Sequence, residues 1–209
     1  MPDQKRILCY GDSNTWGHDA SSDDRFGPDI RWTGVLRNLL GDGYVVIEEG
    51  LGGRTTVNDD PYEPFRNGRT YLAPCLLSQR PLDGVILALG TNDLKNRFNA
   101  CAQDISRGIQ VLIEDIRQYM GDEITVILVA PPTLGTTLDP DDMFGNGLAN
   151  SKLLGQMYRK RAVDLGVEFF DSGKVISLNH GDGIHLNAEN HHAQATALAK
   201  ICRRVLPLG

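Results

Sequence analysis

Apolar residues fall into two alternating patterns along the chain. Short β-branched and aliphatic runs at 7–10, 44–47, 85–89, 124–130 and 167–170 lack the polar alternation of a half-exposed strand. They predict strands covered on both faces. Between and after them, apolar positions recur with helical spacing over 32–40, 71–79, 104–120, 151–165 and 188–205, which predicts five helices. Five repeats of strand then helix imply parallel neighbours joined by right-handed crossovers. The expected architecture is one α/β domain over residues 1–209, a three-layer α/β/α sandwich with a five-stranded parallel sheet. No linker, charge block or repeat divides it. Two connections, 55–70 and 133–147, are too long for plain turns, and connections of that length in a compact domain are usually functional or interface-forming.

The 209 residues carry 21 Lys or Arg against 27 Asp or Glu, a formal charge of −6, which gives no hint of nucleic-acid binding. Cys9, Cys75, Cys101 and Cys202 are far apart, form no C-x-x-C pair and are expected to be reduced core thiols. The N-terminus leads into only four apolar residues, too few for a secretory signal. The longest apolar runs fall far short of the roughly 18 residues of a membrane span. A cytoplasmic protein is the expectation.

In a parallel sheet the carboxyl ends of all strands share one edge, so residues following different strands converge. Those residues are Gly11-Asp12-Ser13, Gly50-Leu51-Gly52-Gly53-Arg54, Gly90-Thr91-Asn92-Asp93 and, before the last helix, Asp182-Gly183-Ile184-His185. Together they supply what acyl transfer needs. Ser13 is the candidate nucleophile and His185 the candidate base. Asp182, three residues earlier, can orient the imidazole. The backbone N–H groups of Ser13 and Gly53 and the amide of Asn92 are candidate donors to an oxyanion. Trp16, Asn14 and Gly52 are the candidate substrate-contacting residues. No metal or organic cofactor is required.

Each residue also has a plainer reading. A serine after a strand commonly only caps a helix. Asp12 and Asp93 are expected to hold turns or support neighbours, and Trp32 to be core. His18, His180, His191 and His192 lack H-x-x-x-H or H-E-x-x-H spacing, so no zinc site is expected. The acidic stretch 139–142 lacks the pattern of a calcium loop. Met143 and Phe144 suit a lid or a subunit contact.

The blocks GDSN at 11–14, the glycines at 50–53, GTND at 90–93 and DGIH at 182–185 resemble those of the SGNH (GDSL-like) hydrolase superfamily. YGDSNTWG at 10–17, RWTGVL at 31–36, IEEGLGGRTT at 47–56, DDPYEPFRNG at 59–68, YLAPCL at 71–76 and FFDSGKVIS at 169–177 resemble its bacterial arylesterase/acyltransferase branch. The resemblance implies a flavodoxin-like fold, the same assignment of Ser13, Gly53, Asn92, Asp182 and His185, and homo-oligomers. It also implies hydrolysis of short-chain or aryl esters and acyl transfer to alcohols or peroxide. Asn14 stands where that family usually has Leu, and Gly52-Gly53 where the best-known acyltransferase of the branch has small residues with a Cβ. Two other readings compete: a carbohydrate O-deacetylase or thioesterase with the same triad, and a catalytically silent ligand-binding domain.

Overall fold

The computed structural model describes residues 4–139 and 141–209. Five strands, β1 (Lys5–Gly11), β2 (Tyr44–Gly50), β3 (Gly84–Ala88), β4 (Thr125–Ala130) and β5 (Glu168–Asp171), form a parallel sheet in the order β2-β1-β3-β4-β5. That is the flavodoxin-like order, with the order of strand addition reversing between β1 and β3. The helices are α1 (Ser13–Trp16), α2 (Trp32–Leu40), α3 (Gly68–Ser78), α4 (Ala102–Met120), α5 (Leu148–Leu165) and α6 (Ala188–Val205).

The continuous apolarity of the strands is explained by cores on both faces. Leu8, Tyr10, Val85, Leu87, Val126 and Leu128 pack against α3, α4 and α5. Their strand neighbours Ile7, Cys9, Ile86, Ile127 and Val129 pack against α2 and α6, where Trp32 is fully buried. Among the described residues no helix is long and apolar enough to cross a membrane.

Boundaries differ from expectation where polar side chains find partners. β2 runs on through Glu48 and Glu49 to Gly50, because Glu48 is met by Arg31 and Thr33 rather than left to face an apolar layer. Helix α3 begins at Gly68 because the Asn67 side chain accepts from Arg69 N, capping it there. Cys101 is a correction: it is exposed, at the start of α4, whereas Cys9, Cys75 and Cys202 are buried.

Candidate active site

Each polar segment leaves the same sheet edge, and glycine allows the closest approach. At the end of β1, a Cβ on Gly11 would lie 2.0 Å from Thr15 Oγ1 and 2.7 Å from Ala88 O, so only glycine fits beneath the turn that follows. Asp12 caps that turn, its Oδ1 accepting from Asn14 N at 3.0 Å. Burial pushes the Asp12 carboxyl up to about 6, against the pull of the Asn14 amide and His185. Ser13 opens the single turn of α1.

The segment 182–185 brings the imidazole to Ser13. One carboxylate oxygen of Asp182, Oδ1, accepts from Ile184 N and His185 N, each at 2.9 Å. The other, Oδ2, lies 2.5 Å from His185 Nδ1. On the far side of the ring, His185 Nε2 lies 3.0 Å from Ser13 Oγ. Partial burial alone would raise the Asp182 pKa, but the bonds from His185 and the backbone amides outweigh it and hold the carboxyl well below its usual range. The carboxylate therefore stays ionised, which favours a proton on Nδ1 and leaves Nε2 free to accept one.

Gly53 has a φ of +77°, the left-handed region, and Gly52 and Gly53 both line the cleft with Ser13. Arg54, almost fully buried, ties the two strand ends together by donating to Gly11 O at 2.8 Å and to Glu49 O. Its guanidinium lies over the Tyr10 ring at 4.2 Å. Sequence reasoning did not assign this role; the buried cation after a glycine block was the available signal. Asn92 Nδ2 donates to Arg54 O at 3.1 Å, which uses one of its two N–H groups and leaves the other available to the cleft it lines. Asp93, buried, accepts from Thr56 N, Thr56 Oγ1 and Asn58 Nδ2, and so braces the first long connection.

The cleft, about 610 Å³, holds Ser13, Gly52, Gly53, Asn92, Asp182 and His185 together. Leu138, Met143 and Phe144 of the second long connection form a wall. That connection is tied to the 182–185 segment by Gly135 N to Gly183 O at 2.7 Å and to the other side by Asn96 N to Met143 O at 2.7 Å.

Two expected contacts are corrected. Asn14 does not face the cleft: it is buried, donating to Ile184 O at 3.2 Å and accepting from Leu186 N at 2.9 Å. Trp16 is not among the cleft-lining residues; its ring lies beneath the Arg25 guanidinium at 5.3 Å. Lys95 and His18, unassigned from sequence, do line the cleft. Lys95 is buried against Glu63 at 3.4 Å and Asp60 at 3.9 Å. Among the described residues no group of three His, Cys, Asp or Glu is arranged to hold a metal ion.

The profile of the GDSL-like Lipase/Acylhydrolase family matches residues 9–193. An acetylxylan esterase from Xylanibacter ruminicola is 32% identical over 124 residues, which are 56% of this chain, and the match spans only 23% of that protein. An aryl esterase from M. smegmatis, in an inhibitor-bound structure, is 42% identical, with 97% of this chain and 100% of that chain covered and a TM-score of 0.89. A carbohydrate acetylesterase from Sinorhizobium meliloti is 40% identical with the same coverage and a TM-score of 0.90.

Proposed function

The chain belongs to the GDSL-like lipase/acylhydrolase family and is an ester-hydrolysing enzyme, and from that premise we propose that it works as a serine esterase through an acyl-enzyme on Ser13. The observation that carries this reading is the unbroken relay from Ser13 Oγ through the two ring nitrogens of His185 to Asp182.

His185 Nε2 takes the Ser13 proton as Oγ attacks the ester carbonyl, and Asp182 steadies the imidazolium that forms. The oxyanion is met by the N–H groups of Ser13 and Gly53 and by the spare N–H of Asn92. Collapse expels the alcohol, which takes the proton back from His185. Water, or a second alcohol deprotonated by the same imidazole, then releases the acyl group. The apolar wall of Leu138, Phe144 and Ile184 supports acyl transfer as well as hydrolysis, since excluding water favours an alcohol acceptor.

Incubation with an organophosphonate ester tests the reading. It predicts one covalent adduct, located on Ser13 by peptide mass analysis and abolished in Ser13→Ala. An unlabelled, folded protein overturns it in favour of a silent binding domain.

A further inference from the structure

The cleft holds a second imidazole that the reaction above does not use. His18 lies in a two-residue ribbon, paired with Arg25 across the turn, and lines the cleft beside Ser13 and His185. Its ring centroid is 4.2 Å from that of His185, with the planes tilted by 54°. The nearest carboxylate oxygen, Asp23 Oδ1, is 3.7 Å from His18 Nε2, beyond hydrogen-bond reach, so among the described residues neither ring nitrogen is committed to the protein. The turn is built to hold this position. Asp19 accepts from Ser21 N, Ser21 Oγ and Ser22 Oγ.

The chemistry of the relay fixes which part of a substrate meets this wall. The carbonyl oxygen points to the N–H donors, whereas the alcohol oxygen must come within reach of His185 Nε2 to collect its proton. A side chain packed on the His185 ring therefore borders the alcohol half of the ester. Burial, and then the neighbouring His185, lowers the His18 pKa against the opposing pull of Asp23, Asp182 and Asp19. Near pH 7 the ring is neutral and offers one N–H donor and one nitrogen acceptor.

We propose that His18 is a specificity-determining residue that hydrogen-bonds a hydroxyl adjacent to the esterified oxygen, so that the cleft favours esters of diols and polyols over those of monohydric alcohols. Asp23, exposed beside it, offers an acceptor for a further hydroxyl. The inference rests on the roles given to Ser13 and His185.

Monoacetylglycerol and propyl acetate share acyl group and carbon count and differ in their hydroxyls, so the ratio of their kcat/KM values reads the contact directly. A ratio of about ten in favour of the glycerol ester is expected for the wild-type enzyme, the discrimination of roughly one hydrogen bond. In His18→Phe, which keeps a ring against His185, the ratio falls toward one, and His18→Gln, with an amide donor and acceptor, recovers part of it. A wild-type ratio near one overturns the proposal without any variant. So does an equal loss on both esters in His18→Phe, which would make His18 only a support for His185. Ser13→Ala assayed in parallel separates the two readings: residual hydrolysis of both esters defeats the Ser13 assignment, whereas an inert Ser13→Ala with an unchanged His18→Phe ratio defeats only the role of His18.

Discussion

Asn14 grips the backbone on both sides of His185, donating to Ile184 O and accepting from Leu186 N. The residue next to the proposed nucleophile thus positions the segment that carries the base, across 170 and 172 residues of sequence. Asn14→Leu, the residue usual in this family, would leave a buried carbonyl and a buried amide without partners. We expect a stability loss of about 2–3 kcal/mol by denaturant unfolding and a fall in kcat of about tenfold with little change in KM, because the imidazole is held less firmly. Unaltered kcat would show that Asp182 alone positions His185.

Asn92 is already oriented by its bond to Arg54 O, so its remaining N–H is fixed before substrate arrives. Truncation in Asn92→Ala removes a donor that matters most when negative charge develops. Turnover should fall on the order of a hundredfold or more, about 3–4 kcal/mol of transition-state stabilisation. A change under about threefold in kcat would remove Asn92 from the oxyanion site.

The parts of this molecule legible in the sequence are those that repeat or cluster locally. Continuous apolar runs exposed the five strands because both faces of the sheet are covered, and Asp182 and His185 could be paired because three residues separate them. The one-turn helix at Ser13–Trp16 is too short to show a period. Other features depend on distant partners. Lys95 meets Asp60 and Glu63 from another connection, and His18 meets His185 only once β1 and the 182–185 segment share an edge. The direction of the Asn14 and Trp16 side chains likewise depends on what Ile184, Leu186 and Arg25 offer them.

Adjacent Gly52 and Gly53 should respond differently to a methyl group. At Gly52 a Cβ would meet nothing within 4 Å. At Gly53 the backbone is left-handed, and a Cβ would lie 3.0 Å from Arg66 Nε and Glu63 Oε2, both side-chain ends that can shift. The cost there is mainly conformational. Gly53→Ala should lose about 1–2 kcal/mol of stability and also turnover, as its N–H rotates away, whereas Gly52→Ala should stay within about 0.5 kcal/mol. Equal losses in denaturant titrations would contradict the conformational cost assigned to Gly53, and undiminished turnover in Gly53→Ala would contradict its role as a donor.

Tyr62 and Phe65, on the first long connection, are 75% and 88% exposed, a large apolar surface for two neighbouring aromatics. We propose that this segment docks against another copy of the chain. Sedimentation should give a mass that is a multiple of 23.0 kDa, reduced toward the single-chain value in a Tyr62→Ser, Phe65→Ser double variant. A 23.0 kDa particle of the wild-type protein at micromolar concentration would contradict it.

His191 supplies the pH test of stability. It is fully buried on α6, with Nδ1 accepting from Trp32 N and Nε2 without a partner among the described residues. Burial, then the neighbouring His185, lowers its pKa to about 4. The unfolded chain, near the ordinary value of about 6.5, binds the proton first as pH falls. Stability from the neutral ring is therefore complete above about pH 6.5 and is lost progressively down to about 4, by about 2–3 kcal/mol at pH 4.5. Asp12, raised to about 6, acts oppositely, because the folded state holds its proton over a range where the unfolded carboxyl has released it. Replacing His191 by Gln, which can still accept from Trp32 N, removes the first contribution and keeps the second. The wild-type protein should lose about 2–3 kcal/mol more than His191→Gln between pH 7 and pH 4.5 in urea titrations. Parallel pH dependence in the two proteins would show that His191 is protonated without cost in the folded state.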